Sequence, residues 1–390
     1  MQGLQEFMTL SIPYILFLLL IFQLLFLSFF LFTNDQGKRV SNILLGSFFL
    51  CICLNLVDVF LLMTRVYFSN SSFALWGSSL PLLFGPLLFL YTQSVLYKDF
   101  SFSLKRMKHF LPFVLSFTAT ELIYLTRPRN IRENILNNIL ESRLPPFARL
   151  VSLLIFMQFL FYVFASLRLI GLYKKAASEN FSNSRHINVS WLYSTMIFFM
   201  FIMILSTLNG LLALTSWAKY YFLALNLIVF AVLLFINQVL LKALRRPYFF
   251  SFSEERVNKE TMSLVRSGDS AGPVPGEKEE ILKQILLHMR DKRPWLEPEL
   301  TLDQLAAQLS IRPKVLSQII NEKLQQNFFD FVNRYRIEEA RHLLAHPVDK
   351  KITVLEILYE VGFNSKSSFN TLFKKYTGLT PTEFRKKNRS

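Results

Sequence analysis

Lys314, Ser317, Gln318 and Asn321 lie three and four positions apart, so a helix would carry all four on one face. Lys366, Ser367, Asn370 and Thr371 repeat that arrangement about 52 residues later. Amides, hydroxyls and a lysine on an exposed helix face can hydrogen-bond base edges in the major groove of DNA, which admits one α-helix. Two such helices held about 34 Å apart, one turn of the double helix, would enter successive grooves on one face. Lys374, Lys375, Arg385, Lys386 and Lys387 follow the second set and suit phosphate contacts. The plainer alternative for that last cluster is a solvated charge run.

The flanking residues supply the elements these side chains need. In "LTLDQLAAQLSIRPKVLSQIINEKL", Leu302, Leu305, Ala306 and Leu309 form one apolar face, with Thr301 as N-cap. Ser310-Ile311-Arg312 makes a turn, and Pro313 opens the next helix, where its missing N–H costs nothing. Leu316, Ile319 and Ile320 face inward. In "TVLEILYEVGFNSKSSFNTLFKKYTG" the pattern recurs with Leu355, Ile357, Leu358 and Val361, then Gly362 in the turn and Ser365 as cap. Phe369, Leu372 and Phe373 turn inward. "FFDFVNRYRIEEARHLLA" between the units reads as one long connecting helix. An earlier helix places Ile281, Ile285, Leu286 and Met289 on one face, to pack on the domain or to pair two chains.

The other half of the chain has a different texture. Of 390 residues 52% are hydrophobic and 41 are Phe, and mean hydropathy is +0.34. The excess lies before about Leu241, in runs of the length a bilayer requires. Spans are expected at Pro13–Phe32, Ile43–Met63, Leu75–Tyr97, His109–Leu125, Leu150–Leu172, Trp191–Leu214 and Tyr220–Leu241. The fourth is short and holds Pro112 and Glu121. Lys and Arg favour cytoplasmic loops. Lys38 and Arg39; Lys98, Lys105, Arg106 and Lys108; Lys174, Lys175 and Arg185; and Lys242, Arg245 and Arg246 fill alternate loops. That pattern puts the N-terminus outside and the C-terminus in the cytoplasm. Thr126–Arg149 dissents with five arginines: Arg127, Arg129, Arg132, Arg143 and Arg149. Part of it is amphipathic, with Ile131, Ile135 and Ile139 aligned, and reads as an interfacial helix or as a site for an anionic ligand.

Asn55 and Asp58 share a helix face, and Glu121 lies in the fourth span. Ionisable groups at mid-bilayer cost about 2.5–3.5 kcal/mol on insertion scales and turn to the bundle interior. These three are candidate ligand residues, or interhelical hydrogen-bond glue with Glu121 at the outer interface. Pro81, Gly85 and Pro86 would loosen the third span. Cys51 and Cys53 diverge on a helix and read as apolar filler, with neither a disulfide nor metal-ligand spacing. No cofactor is expected. The net charge of +16 and pI near 9.8 suit a polyanionic partner, nucleic acid or anionic lipid.

"SGDSAGPVPGEKEE", Ser267–Glu280, reads as a flexible linker. The expected domains are a seven-span bundle over 1–242, a linker over 243–280 and a soluble domain over 281–390.

The last ~90 residues resemble the AraC/XylS family of bacterial transcription regulators. The resemblance rests on "LTLDQLAAQLSIRPKVLSQIIN", "FFDFVNRYRIEEARHLL" and "VGFNSKSSFNTLFKKYTGLTPTEFRK". It implies seven helices in two helix-turn-helix subdomains, with Lys314, Ser317 and Gln318 in one recognition helix and Lys366, Ser367 and Thr371 in the other. Leu358 departs from the family, which usually has Ala there. The membrane half weakly resembles multi-span regions joined to such domains. The fold class is thus all-α, a seven-span bundle followed by a cytoplasmic double helix-turn-helix. The location is a bacterial inner membrane. Expected partners are double-stranded promoter DNA, the lipid bilayer, an unidentified signal ligand, a second copy of the chain and RNA polymerase.

A membrane-embedded regulator, not an enzyme, is the leading reading. A transporter with an accessory DNA-binding tail would need a polar pathway, and the spans hold only scattered polar residues. An intramembrane enzyme would need paired acids or a His cluster, and of five His only His109 borders a span.

Overall fold

The computed structural model describes the chain apart from residues 1–11, 36–37, 98–99, 142–145, 184–188, 213–214, 216, 246–274, 348–350 and 390. Among the described residues it is helical, with one isolated bridge and no strand. Two compact units form: Met1–Ile170 with Ser190–Glu254, and Gly171–Val189 with Glu255–Ser390. Lys98, Arg143, Arg185, Arg246 and residues 267–274 of the expected linker lie outside the described residues.

The first unit contains α1 (Ile12–Thr33), α2 (Arg39–Met63), α3 (Pro81–Leu96), α4 (Leu111–Leu125), α5 (Arg129–Leu140), α7 (Ser190–Leu212), α8 (Tyr221–Arg245) and most of α6 (Pro146–Asn180). Five of these, α1, α2, α6, α7 and α8, are long and apolar enough to cross a membrane. Helix α3 has 16 residues and α4 has 15, about 24 and 22 Å against a hydrocarbon core of about 30 Å. So the seven expected spans appear as five full-length helices and two shorter ones. The third starts late because Leu75 adopts φ 68° and the chain turns until Pro81 opens the helix. Helix α2 packs between α1 and α3: Ser28 Oγ donates to Gly46 O at 2.9 Å, and Ser94 Oγ donates to Ser41 Oγ at 2.9 Å. Phe198 of α7 stacks on Phe235 of α8 at 3.7 Å. Large apolar side chains, Phe22, Phe29, Phe161 and Phe164 among them, stay exposed, the arrangement a lipid-facing surface requires.

Helix α5 falls where the amphipathic stretch predicts it. Its apolar face is not laid out for a bilayer, however. Leu136 is fully buried, and Ile135 and Ile139 pack with it against Tyr67, Ala74 and Tyr124, leaving only Ile131 exposed. The segment joining α2 to α3 covers that face. Arg129 pairs with Glu133 at 2.7 Å, and Arg132 Nη1 donates to Ser72 Oγ at 2.9 Å.

In the second unit come α9 (Pro275–Asp291), α10 (Leu302–Gln308), α11 (Pro313–Leu324), α12 (Phe328–Ala345), α13 (Val354–Glu360), α14 (Lys366–Thr377) and α15 (Pro381–Arg389). Among the described residues after 274 these make seven α-helices, the number the resemblance implies. Pro275–Glu280, expected as linker, are the first turns of α9. A proline in the first turn and Glu277 near the positive helix end favour that start.

Helix α12 serves two cores. Phe328, Phe331 and Val332 join Ile285, Met289, Leu302, Leu305, Leu316 and Ile319 in the first. Ile337, Ala340 and Leu344 join Ile357, Leu358, Phe369 and Phe373 in the second. Leu358 is accommodated, buried to 1% exposure, whereas Leu355 points out at 46%. Ile285 and Met289 are core residues, while Leu286 is exposed.

Candidate nucleic-acid interface

Each helix-turn-helix is closed by a capping box. Gln304 N–H donates to Thr301 Oγ1 at 3.2 Å while Thr301 N–H donates to Gln304 Oε1 at 2.8 Å. Thr353 and Glu356 repeat it at 3.1 and 2.6 Å. Two orphan amide donors are thereby satisfied at the start of α10 and of α13. The turns follow at Ser310 (φ 57°) and Gly362 (φ 82°). Helix α11 then opens on Pro313, and α14 opens under the Ser365 cap, whose Oγ accepts from Ser368 N–H at 3.4 Å. Leu316, Ile319 and Ile320 pin α11 to its core; Phe369, Leu372 and Phe373 pin α14.

With those faces inward, the candidate base-reading residues sit on the opposite faces. Lys314, Asn321, Lys366, Ser367 and Thr371 are exposed; Ser317, Gln318 and Asn370 are half-buried. On α11 the amides are already engaged. Gln318 Nε2 donates to Glu322 Oε1 at 2.7 Å, and Asn321 Nδ2 to Ser317 Oγ at 3.3 Å. Glu322 also takes Lys278 Nζ at 2.9 Å, and the hydrogen bonds from Lys278 and then Gln318 hold its carboxyl below the usual range. On α14, Thr371 Oγ1 donates back to Ser367 O at 2.8 Å.

The phosphate candidates divide. Lys374 is exposed on the last turn of α14. Lys375 pairs with Asp330 at 2.9 Å, and Tyr376 OH donates to the same oxygen at 2.9 Å, fastening α14 to α12. Arg385 is half-buried and donates to Ile352 O, bracing the approach to α13. Lys386 and Lys387 are exposed.

Sequence reasoning passed over Asn333 and Arg336. Both are buried in the middle of α12, between its two apolar stretches, at 0% and 1% exposure. Arg336 Nε donates to Trp295 O at 2.7 Å and Nη2 to Glu297 O at 2.6 Å. Burial draws its guanidinium down to about 10, against the opposing charges of Glu299 and Glu297. Helical spacing carried the signal, since 333 and 336 share a face with Val332, Ile337 and Ala340.

The membrane candidates hold a loop. Asp58 accepts from Tyr67 OH at 2.6 Å, and Asn55 Nδ2 donates to Gly77 O at 3.0 Å. A Cβ on Gly77 would lie 2.5 Å from Asp58 Cβ, so only glycine lets the loop approach this closely. Glu121 is half-buried on α4 and shares no hydrogen bond with Asp58. An open-sided cavity of about 650 Å³ in the first unit is lined by Asn55, Arg149, Ser206, Thr207 and Tyr221, and by neither Asp58 nor Glu121. No cluster of metal-ligating residues occurs among the described residues.

A helix-turn-helix carried twice on one connecting helix defines a class of DNA-binding domain. Residues 305–387 match the model of a helix-turn-helix domain, and this C-terminal domain is of the AraC type. Over 80 residues the chain is 36% identical to the uncharacterized transcriptional regulatory protein YesN of Bacillus subtilis, covering 20% of this chain and 21% of that one. Over 94 residues it is 33% identical to the uncharacterized HTH-type transcriptional regulator YtdP of the same species, covering 24% and 12%. The HTH-type transcriptional activator RhaS of Escherichia coli is 26% identical over 179 residues, covering 38% and 62%. The chain thus spans less than two thirds of each of these relatives. No solved structure matches it.

Proposed function

We propose that the chain is a membrane-embedded one-component transcription regulator, whose C-terminal domain reads promoter DNA and whose helical bundle senses a signal at the membrane. One observation carries the reading. Two recognition helices, α11 and α14, turn polar faces outward while separate cores fix them to the shared helix α12. Lys314, Ser317, Gln318 and Asn321 would read one groove, and Lys366, Ser367, Asn370 and Thr371 the next, with Lys374 on phosphate. The expected domain division, 1–242, 243–280 and 281–390, remains part of this proposal, with all of α9 and Gly171–Val189 added to the DNA-binding side.

The bundle is proposed to cross the membrane seven times, with α3 and α4 as short spans. The N-terminus is then outside and the C-terminus cytoplasmic. Seven and five are both odd, so either count puts the two ends on opposite sides. The cavity beside Arg149 favours a sensing role, with an amphipathic ligand presenting an anionic head to the arginine.

Genome-wide crosslinking of the intact chain, beside a Lys314→Ala, Lys366→Ala double variant, tests the reading. Discrete peaks lost in the variant are expected. An absence of peaks, or peaks indifferent to both substitutions, would transfer weight to a transporter with a vestigial tail. Uptake assays in vesicles would then be decisive.

A further inference from the structure

The buried Asn333 and Arg336 bond to Phe329, Trp295 and Glu297 within the helix-turn-helix units, and both also reach Ser182, which lies outside them. Helix α6, which supplies Pro146–Ile170 to the first unit, continues through Gly171–Asn180 into the second. At its end Phe181 makes an antiparallel bridge with Thr301, the N-cap of α10. Ser182 is buried at 1% exposure, and its amide and its Oγ both donate to Leu300 O, at 3.3 and 2.7 Å. Ser182 O accepts from Asn333 Nδ2 at 2.9 Å and from Arg336 Nη1 at 3.4 Å. Asn183 Nδ2 donates to Glu299 Oε1 at 2.7 Å, and that same oxygen accepts Asn364 Nδ2, from the turn before α14, at 2.5 Å.

We propose that Phe181–Asn183 is a strap by which α6 docks into the junction between the two helix-turn-helix units and fixes their relative orientation for binding DNA. The inference rests on the DNA-reading proposal above. Three features support it beyond simple contact. First, the strap touches the entrance to the first unit (Leu300, Thr301), the shared helix (Asn333, Arg336) and, through Glu299, the turn of the second (Asn364). Second, its bonds are polar, so release exposes groups that water can satisfy. Third, the strap follows the last turn of α6 directly in the chain, so the residues that leave that helix are the ones that dock.

A site read by two rigidly held helices gains affinity from pre-organisation, and loosening one against the other forfeits that gain. The test uses the full chain in lipid nanodiscs and the duplex most enriched when the wild type selects from a pool randomised over about 20 base pairs. Ser182→Trp cannot fit the buried position and ejects the strap. Insertion of two glycines between Phe181 and Ser182 moves Ser182 and Asn183 out of register with Leu300, Asn333 and Glu299 without altering any residue of the DNA-binding units. Each is expected to weaken binding about tenfold, with hydrogen exchange in α12 and α14 showing both units folded. A Phe181→Cys, Thr301→Cys pair lies across the bridge at a separation a disulfide spans. Its oxidised form is expected to bind at least as tightly as its reduced form. Binding by the insertion variant within about twofold of wild type, tighter binding by either ejecting variant, or weaker binding on oxidation would overturn the strap. Should Ser182→Trp unfold the domain, the insertion decides. Should the wild type enrich no duplex, the DNA-reading proposal fails and the strap is not what failed.

Discussion

In the first helix-turn-helix the chain reverses at Ser310 with φ 57°; in the second it reverses at Gly362 with φ 82°. The difference lies in what surrounds each turn. A Cβ on Gly362 would lie 2.7 Å from the carbonyl oxygens of both Trp295 and Leu296. Ser310 is exposed, and its side chain meets no such wall. The second unit presses its turn onto the segment that leads into the first, and the first has no matching neighbour. A left-handed residue is therefore a local choice at Ser310 and a packing requirement at Gly362. The recognition helices differ in parallel: α11 opens on a proline with no side-chain cap, α14 under a serine cap.

Exchanging the two turn residues should break that comparison most sharply. Gly362→Ser adds backbone strain and a collision with two carbonyls, and should cost about 3 kcal/mol. Hydrogen exchange should show α13 and α14 loosening while α10 and α11 keep more protection. Equal loss in both units would mean the turn does not rest on the 295–296 segment. Next in size are the polar faces. Asn370→Ala should cost about 2 kcal/mol of discrimination at the bases it is proposed to read, and Gln318→Ala about 1 kcal/mol, because Gln318 must leave Glu322 before it can reach a base. Affinities for the selected duplex and its single-base variants measure both. A larger loss at Gln318 would make Glu322 an orienting partner and not a competitor.

The parts of this molecule legible in sequence share one trait: a period. Leu302, Leu305 and Ala306, then Leu316, Ile319 and Ile320, lie in the core as their spacing required. Thr301 reads as an N-cap in the sequence, whereas its partner Gln304 and the second box, Thr353 with Glu356, emerge only in the structure. Contacts between distant segments carry no period. Lys375 and Arg385 read as free basic residues, yet Asp330 and Ile352 claim them from 45 and 33 residues away. Helix α5 shows the same limit. Its amphipathicity was plain, but not that the α2–α3 segment would cover its apolar face. Helix α6 runs past its apolar stretch through "YKKAASEN", where lysines and alanines favour the helix and Tyr173, Ala176 and Ala177 are buried, a placement that hydropathy alone does not mark.

Smaller effects sharpen the comparison where the units agree. Thr301→Ala and Thr353→Ala should each cost about 1 kcal/mol, since both remove the same cap geometry. A clear inequality, followed by exchange at the first turns of α10 and α13, would show one cap carrying tertiary strain the other lacks. Ser310→Gly should stabilise the first unit by about 0.5 kcal/mol, as relief of the left-handed backbone outweighs the entropy gained by the unfolded chain.

The smallest expected effect is on acid stability. Glu322 ties α11 to α9, and Glu383, held low by the backbone and hydroxyl of Thr380, caps α15. Each carboxyl titrates below its unfolded value. The stability each adds is therefore complete above the ordinary carboxylate range and fades as pH falls through the lowered value. Glu322→Gln should flatten the acid limb for α11, and Glu383→Gln should do so for α15. Both groups are exposed, so raised salt should shrink either contribution. An acid limb unchanged by both substitutions would assign the loss to other carboxylates.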